Sequence, residues 1–225
     1  MAGFLLNTED MYTEAANEIL DDFNTGKSLT WDVKIQLQGR PAPEAAKIVI
    51  EHFNLPITPQ EYMALNYSKL DAKWADAQFL PGALELLQQL KASGIPIALG
   101  TSSHLLAFKR KTSHLEQFEV FGSHIVTGDD TRIPSGRGKP HPDIWRVCLE
   151  SLNQDRDEEI KPQECIVFED GIPGVNAGKA FESFVVWVPD KMALKLLEGG
   201  EKDVLGDHEG VILSSLVEFD STLLN

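Results

Sequence analysis

Apolar positions along this chain recur first at helical spacing and later in short unbroken runs. Thr8-Glu9-Asp10 has the form of a helix start, and a polar-apolar helical pattern continues to about Phe23, where Asn24-Thr25-Gly26 ends it. Thr30-Trp31-Asp32 opens a short helix that stops at Gly39. Pro41-Ala42-Pro43-Glu44 opens another to about Phe53, with proline in its first turn, and a third spans roughly Pro59 to Trp74. No strong β-run interrupts residues 30 to 76, so this stretch reads as a small helical module. The texture changes at Phe79-Leu80-Pro81-Gly82. A helix carrying Leu84, Leu87 and Leu90 follows and ends near Ser93-Gly94, and from there strands and helices alternate. The predicted strands are Ile95–Leu99, His124–Val126, Cys165–Phe168, Phe184–Val188 and Val211–Leu213. The predicted helices between them are Ser103 to about Lys111, Pro142 to Leu152, Val175 to Phe181 and Lys191 to Leu197. Alternating βα units imply an α/β fold with a Rossmann-like, doubly wound parallel sheet.

Composition narrows the classes. The chain has 225 residues, 42% hydrophobic and 24% charged, an ordinary globular balance. A net charge of −15 argues against a nucleic-acid surface, which needs a basic stripe. No apolar run approaches the ~20 residues that span a bilayer, and no basic-then-apolar leader opens the sequence. The two cysteines, Cys148 and Cys165, form no CxxC pair and read as reduced thiols. A cytoplasmic protein with no nucleic-acid or membrane partner is the expectation.

The chemistry gathers at predicted strand ends. The run Cys165–Phe168 leads into Glu169 and Asp170 and then the turn Gly171-Ile172-Pro173-Gly174. Ligands of open α/β sheets bind at the carboxyl edge. Two hard carboxylates there suit Mg2+; their other reading is as caps of the next helix. Ile97-Ala98-Leu99 leads into Gly100-Thr101-Ser102-Ser103, where hydroxyls and free N–H groups can cradle an anion or simply cap a helix. Lys139 stands between glycines and prolines in Gly136–Pro142, aimed as a point charge suited to a phosphate.

Hydroxyl, lysine and acid pair on successive strands together resemble the haloacid dehalogenase superfamily of phosphohydrolases. Thr101-Ser102 resembles its second motif, Lys139-Pro140 its third and Glu169-Asp170-Gly171 its fourth. Leu6-Asn7-Thr8-Glu9, Thr30-Trp31-Asp32-Val33-Lys34, Lys111-Thr112-Ser113 and Ile125–Asp130 bring it closest to the pseudouridine-5′-phosphatase-like branch. The resemblance implies a core of residues 1–9 and 79–225 and a helical cap of residues 10–78. It implies Mg2+-dependent hydrolysis of a small phosphate monoester (a sugar, polyol or nucleoside 5′-phosphate) through an aspartyl-phosphate. Thr101, Ser102 and Lys139 would bind the phosphoryl group, with Thr101 and Lys139 in catalytic roles. Glu169 and Asp170 would hold the metal, and Gly39-Arg40 would read the distal part of the substrate. Arg40 reads equally as a surface arginine beside Pro41.

The chain departs from this family at its first motif, Asp-x-Asp-Gly, whose first Asp attacks phosphorus and whose second acts as acid and base. Ala2 stands at the acid/base position, and the nucleophile position falls before Met1. Most of the first, central strand is absent too, which would leave two strand edges unpaired. Three readings follow: a shortened form of a phosphatase, a phospholigand-binding pseudoenzyme, or a chain whose sheet is completed by a second chain. A phosphomutase in full-length form is a further alternative. All of these predict no phosphomonoesterase activity from these 225 residues by themselves.

Overall fold

The computed structural model describes residues 1, 3–154, 156–197, 199–220 and 222. Four helices come first: α1 (Thr8–Asp22), α2 (Trp31–Leu37), α3 (Ala42–Phe53) and α4 (Pro59–Lys73). The helical spacing of the sequence is the reason they form where expected. Thr58 and Glu61 close a reciprocal capping box at the start of α4, and Asn54 ends α3 in the left-handed region at φ 54°. These helices bury a core of their own, built on Ile19, Leu20, Val33, Val49, Phe53 and Tyr62.

The rest alternates: α5 (Ala83–Ala92), β1 (Leu99–Gly100), α6 (Leu105–Thr112), β2 (Ile125–Val126), α7 (Asp143–Asn153), β3 (Ile166–Glu169), α8 (Ile172–Ala180), β4 (Phe184–Trp187), α9 (Lys191–Leu197), α10 (Glu201–Leu205) and β5 (Gly210–Ile212). The short α10 and a 3-10 turn at Glu116–Phe121 were not foreseen. Among the described residues these five strands pair in parallel, as the βα alternation requires.

The expected sheet is divided. Among the described residues β1 pairs with β2, and separately β3, β4 and β5 pair in that order. β1 and β3 each keep one edge without a strand partner. Between them lies an apolar cavity of about 630 Å3, lined by Ile97, Leu99, Trp145, Ile166, Phe168 and Phe184 among others. The same gap explains why the strand expected over Ile95–Leu99 shrinks to Leu99–Gly100. A strand is held by its ladder, and here the ladder is present on one side only, through Leu99 N to His124 O at 2.8 Å and Thr101 N to Val126 O at 2.9 Å. Phe4, Leu5 and Leu6 are buried against this region, and Leu6 forms an isolated antiparallel bridge with Phe79.

Candidate active site

The carboxyl ends of β1 and β3, the loop before α7 and one turn of the helical block meet in a single cleft of about 190 Å3. Thr101 is carried one residue past β1 by its N–H bond to Val126, so it stands at the strand edge, buried. Its hydroxyl accepts the N–H of Ser103 at 3.2 Å, which winds the chain toward α6. Gly128 lets the loop after β2 close on this turn: a Cβ there would lie 2.3 Å from the Ser102 carbonyl oxygen.

Lys139 is the central cation. Its ammonium pairs with Glu169 Oε1, donates to Gly100 O at 3.4 Å and lies 4.6 Å from the centroid of the Trp145 ring. It therefore links the end of β1 to the end of β3 across the gap. The pair is almost fully enclosed, with side-chain exposures of 4% and 2%, so Coulomb attraction between them is strong and the loss of either partner costly. Gly174 allows the acid to lie against the start of α8, because a Cβ there would meet the Glu169 carboxyl carbon at 2.1 Å.

Asp170 is buried beside it. Its Oδ1 lies 3.9 Å from the amino group of Met1. Burial pushes the Asp170 carboxyl up and the Met1 ammonium down, while their mutual attraction opposes both shifts. The Asp170 main-chain carbonyl accepts the Trp187 indole N–H at 2.9 Å, which fixes the turn into α8.

The helical block reaches this edge through Gly39, at φ 73°. Its carbonyl accepts the Ser102 hydroxyl at 3.0 Å, and an added Cβ at Gly39 would lie 3.7 Å from Pro173. Arg40 lines the same cleft but spends its hydrogen bonds inside the helical block, donating to Gln36 O at 2.6 Å and facing Glu44 at 3.6 Å. Thr101, Ser102, Lys139, Glu169, Asp170 and Gly39 are thus brought together, with Arg40 on the rim. Ala2, the residue at the acid/base position, lies outside the described residues.

Carboxylate oxygens are the right kind of donor for Mg2+. As placed, however, Glu169 faces Lys139 and Asp170 faces the Met1 amino group. Among the described residues no group of three or more His, Cys, Asp or Glu side chains is arranged to hold a metal. The acid pair is a partial donor set.

Several cleft residues had no assigned role in the sequence: Glu9, Tyr12, Lys34 and Lys111. Lys34 Nζ donates to the Glu9 main-chain oxygen at 3.2 Å, and Gln38 Nε2 to Glu9 Oε2 at 3.4 Å. Lys111 closes the basic run Lys109-Arg110-Lys111. The available signal was spacing: Ala107, Phe108, Lys111 and Thr112 are the buried positions of α6, one stripe of a helix.

The chain is similar to known proteins along most of its length. A family model for haloacid dehalogenase-like hydrolases matches residues 64–182, which takes in β1 through α8 and every strand-edge residue described above. A probable pseudouridine-5′-phosphatase of Saccharomyces cerevisiae is 55% identical over 221 residues, 98% of this chain and 92% of that protein. (DL)-glycerol-3-phosphatase 2 of Arabidopsis thaliana is 34% identical over 97% of this chain and 86% of its own length. A crystal structure of β-phosphoglucomutase from Clostridium difficile has the same fold, with a TM-score of 0.76 at 18% identity over 99% of this chain and 92% of that one. This chain belongs to the haloacid dehalogenase-like hydrolase family.

Proposed function

We propose that this chain is built to bind a small hydroxylated phosphate monoester, the kind of ester whose hydrolysis its relatives are named for. The observation that carries this reading is the convergence of Thr101, Ser102 and Lys139 on one cleft beside Glu169 and Asp170. The hydroxyl of Thr101 and the N–H groups of the following turn would hold phosphoryl oxygens, and Lys139 would offset their charge. Mg2+, when bound through Asp170 and Glu169 directly or by water, would add further charge compensation. Similarity to phosphatases named for pseudouridine 5′-phosphate and glycerol 3-phosphate supports a nucleoside, sugar or polyol as the alcohol part.

The covalent step needs a carboxylate nucleophile. Among the described residues the carboxylates lining the cleft are Glu9, Glu169 and Asp170, and each is engaged by a neighbouring cation or amide. We therefore expect the 225 residues to bind phosphate esters without turning them over. The test is phosphate release from p-nitrophenyl phosphate, glycerol 3-phosphate and pseudouridine 5′-phosphate with Mg2+. This chain is compared with a version extended at Met1 by an apolar strand ending in Asp-x-Asp. Activity confined to the extended version is the expected result; Mg2+-dependent turnover by the unextended chain refutes this reading.

A second reading concerns the gap in the sheet. The facing edges of β1 and β3 across an apolar cavity favour an extended apolar segment of a partner chain as its occupant, paired in parallel with both edges. Added strand peptides of that character should raise the melting temperature in a saturable way; scrambled peptides should not.

A further inference from the structure

Lys111, the first residue of Lys111-Thr112-Ser113, has no part in the phosphate cradle described above. Its side chain is fully buried, at 0% exposure, in the wall between the helical block and α6. Its ammonium donates to Ser103 Oγ at 2.7 Å and to Tyr12 Oη at 3.4 Å. Among the described residues no carboxylate lies within ion-pair distance; Glu9 acts on it only through its field. A buried ammonium whose partners are two neutral hydroxyls is costly, and the cost is offset where a ligand brings a further acceptor. Across the same cleft Asn66 Oδ1, on α4, is buried with no hydrogen-bond partner. A donor and an acceptor thus stand in one chamber, each short of a partner.

We propose that Lys111, Ser103, Tyr12 and Asn66 form a second subsite that binds the hydroxyl groups of the substrate's alcohol part. The chemistry selects hydroxyl over a second anion. A carboxylate or a phosphate-ester dianion could accept from Lys111 but has no proton for Asn66 Oδ1, whereas vicinal hydroxyls accept from one and donate to the other. The subsite is joined to the phosphoryl cradle by a short span of chain, since Ser103 N–H donates to Thr101 Oγ1 at 3.2 Å. A phosphate on Thr101 and Lys139 therefore leaves its hydroxyl-bearing part within the compass of Ser103. This inference rests on the reading of the cleft as a phosphate-ester site.

The experiment is calorimetric binding by the 225-residue chain, using inorganic phosphate, phenyl phosphate and ribose 5-phosphate as probes. Inorganic phosphate alone tests the cradle, and its failure to bind overturns the phosphate-ester reading and this inference with it. Given phosphate binding, the wild type should prefer ribose 5-phosphate to phenyl phosphate. Lys111→Met and Asn66→Ala should each weaken ribose 5-phosphate about tenfold while leaving the other two probes unchanged, a factor equal to about 1.4 kcal/mol. Lys111→Met removes a buried charge, so its melting temperature should not fall; Asn66→Ala reports independently should that variant prove unstable. Loss of all three probes together, or no change in ribose 5-phosphate for either variant, overturns the subsite.

Discussion

Ser102 and Gly39 lie 63 residues apart in sequence and are joined by one hydrogen bond, from the Ser102 hydroxyl to the Gly39 carbonyl at 3.0 Å. The bond fastens the helical block to the end of β1, at the wall of the cleft. Gly39 adopts φ 73°, which a side chain resists, and the space around its Cα is otherwise open to a methyl group. Gly39→Ala should therefore cost about 1 kcal/mol through backbone strain rather than collision. Urea unfolding would measure this. A cost near zero would show that the turn relaxes freely and does not hold the two parts in register.

Lys139 and Glu169 make a buried pair whose members depend on each other. Lys139→Met leaves Glu169 enclosed without its cation and should destabilise the chain by about 3–5 kcal/mol. Adding Glu169→Gln should recover most of that loss, because the remaining buried group is then neutral. Equal unfolding midpoints for the single and double variants would contradict this.

Gly174 keeps the Glu169 carboxyl in place by being small. Gly174→Ala would put a Cβ 2.1 Å from its carboxyl carbon, so the acid must shift away from Lys139. The expected cost is about 1–3 kcal/mol, together with weaker binding of inorganic phosphate as Lys139 is displaced. Retained stability and retained phosphate binding would show that the acid has another rotamer equally good for the site.

Lys111 gives the chain a specific dependence on pH. Burial pulls its ammonium from 10.5 down to about 8, with Glu9 opposing and the hydroxyls of Ser103 and Tyr12 as its near neighbours. Burial also raises the Tyr12 phenol, so it stays protonated through this range. The unfolded chain holds the Lys111 proton up to its ordinary value, whereas the folded chain releases it from about 8. Between those values the unfolded state binds more protons, so the stability of the fold rises with pH relative to a chain lacking the group. The shift corresponds to about 3 kcal/mol at most. Lys111→Met should thus exceed the wild type in stability below pH 8, and the difference should narrow between pH 8 and 10.5. Urea titrations of both chains across that range check the sign; a constant difference would mean that Lys111 does not titrate there.

Much of this fold was legible because its cause is local. The spacing of apolar residues in Thr8–Asp22 or Ala42–Phe53, proline in a first turn and a capping pair at Thr58 and Glu61 act within a few residues. The helices accordingly fell close to their expected bounds. The strand-edge residues were legible for a related reason: a buried apolar run ending in Glu169-Asp170, or in Thr101-Ser102, is itself a position on a sheet. Lys111 was less so: its helical spacing with Ala107, Phe108 and Thr112 puts it on their stripe, but its burial depends on α1 and α4 closing over α6.

By itself, the sequence determined the alternation of elements, their parallel sense and the residue types at the carboxyl edge, because periodicity and strand ends are properties of neighbours along the chain. Tertiary structure decided what depends on partners far away in sequence. It divided the sheet between β1 and β3 around an apolar cavity, since hydrogen-bond ladders form only where a second strand stands alongside. It set Lys139 against Glu169 and the Met1 amino group against Asp170, since buried charges settle where another part of the chain offers a counter-charge. And it set Lys111 against Tyr12 and Ser103, partners that the spacing along its own helix does not name.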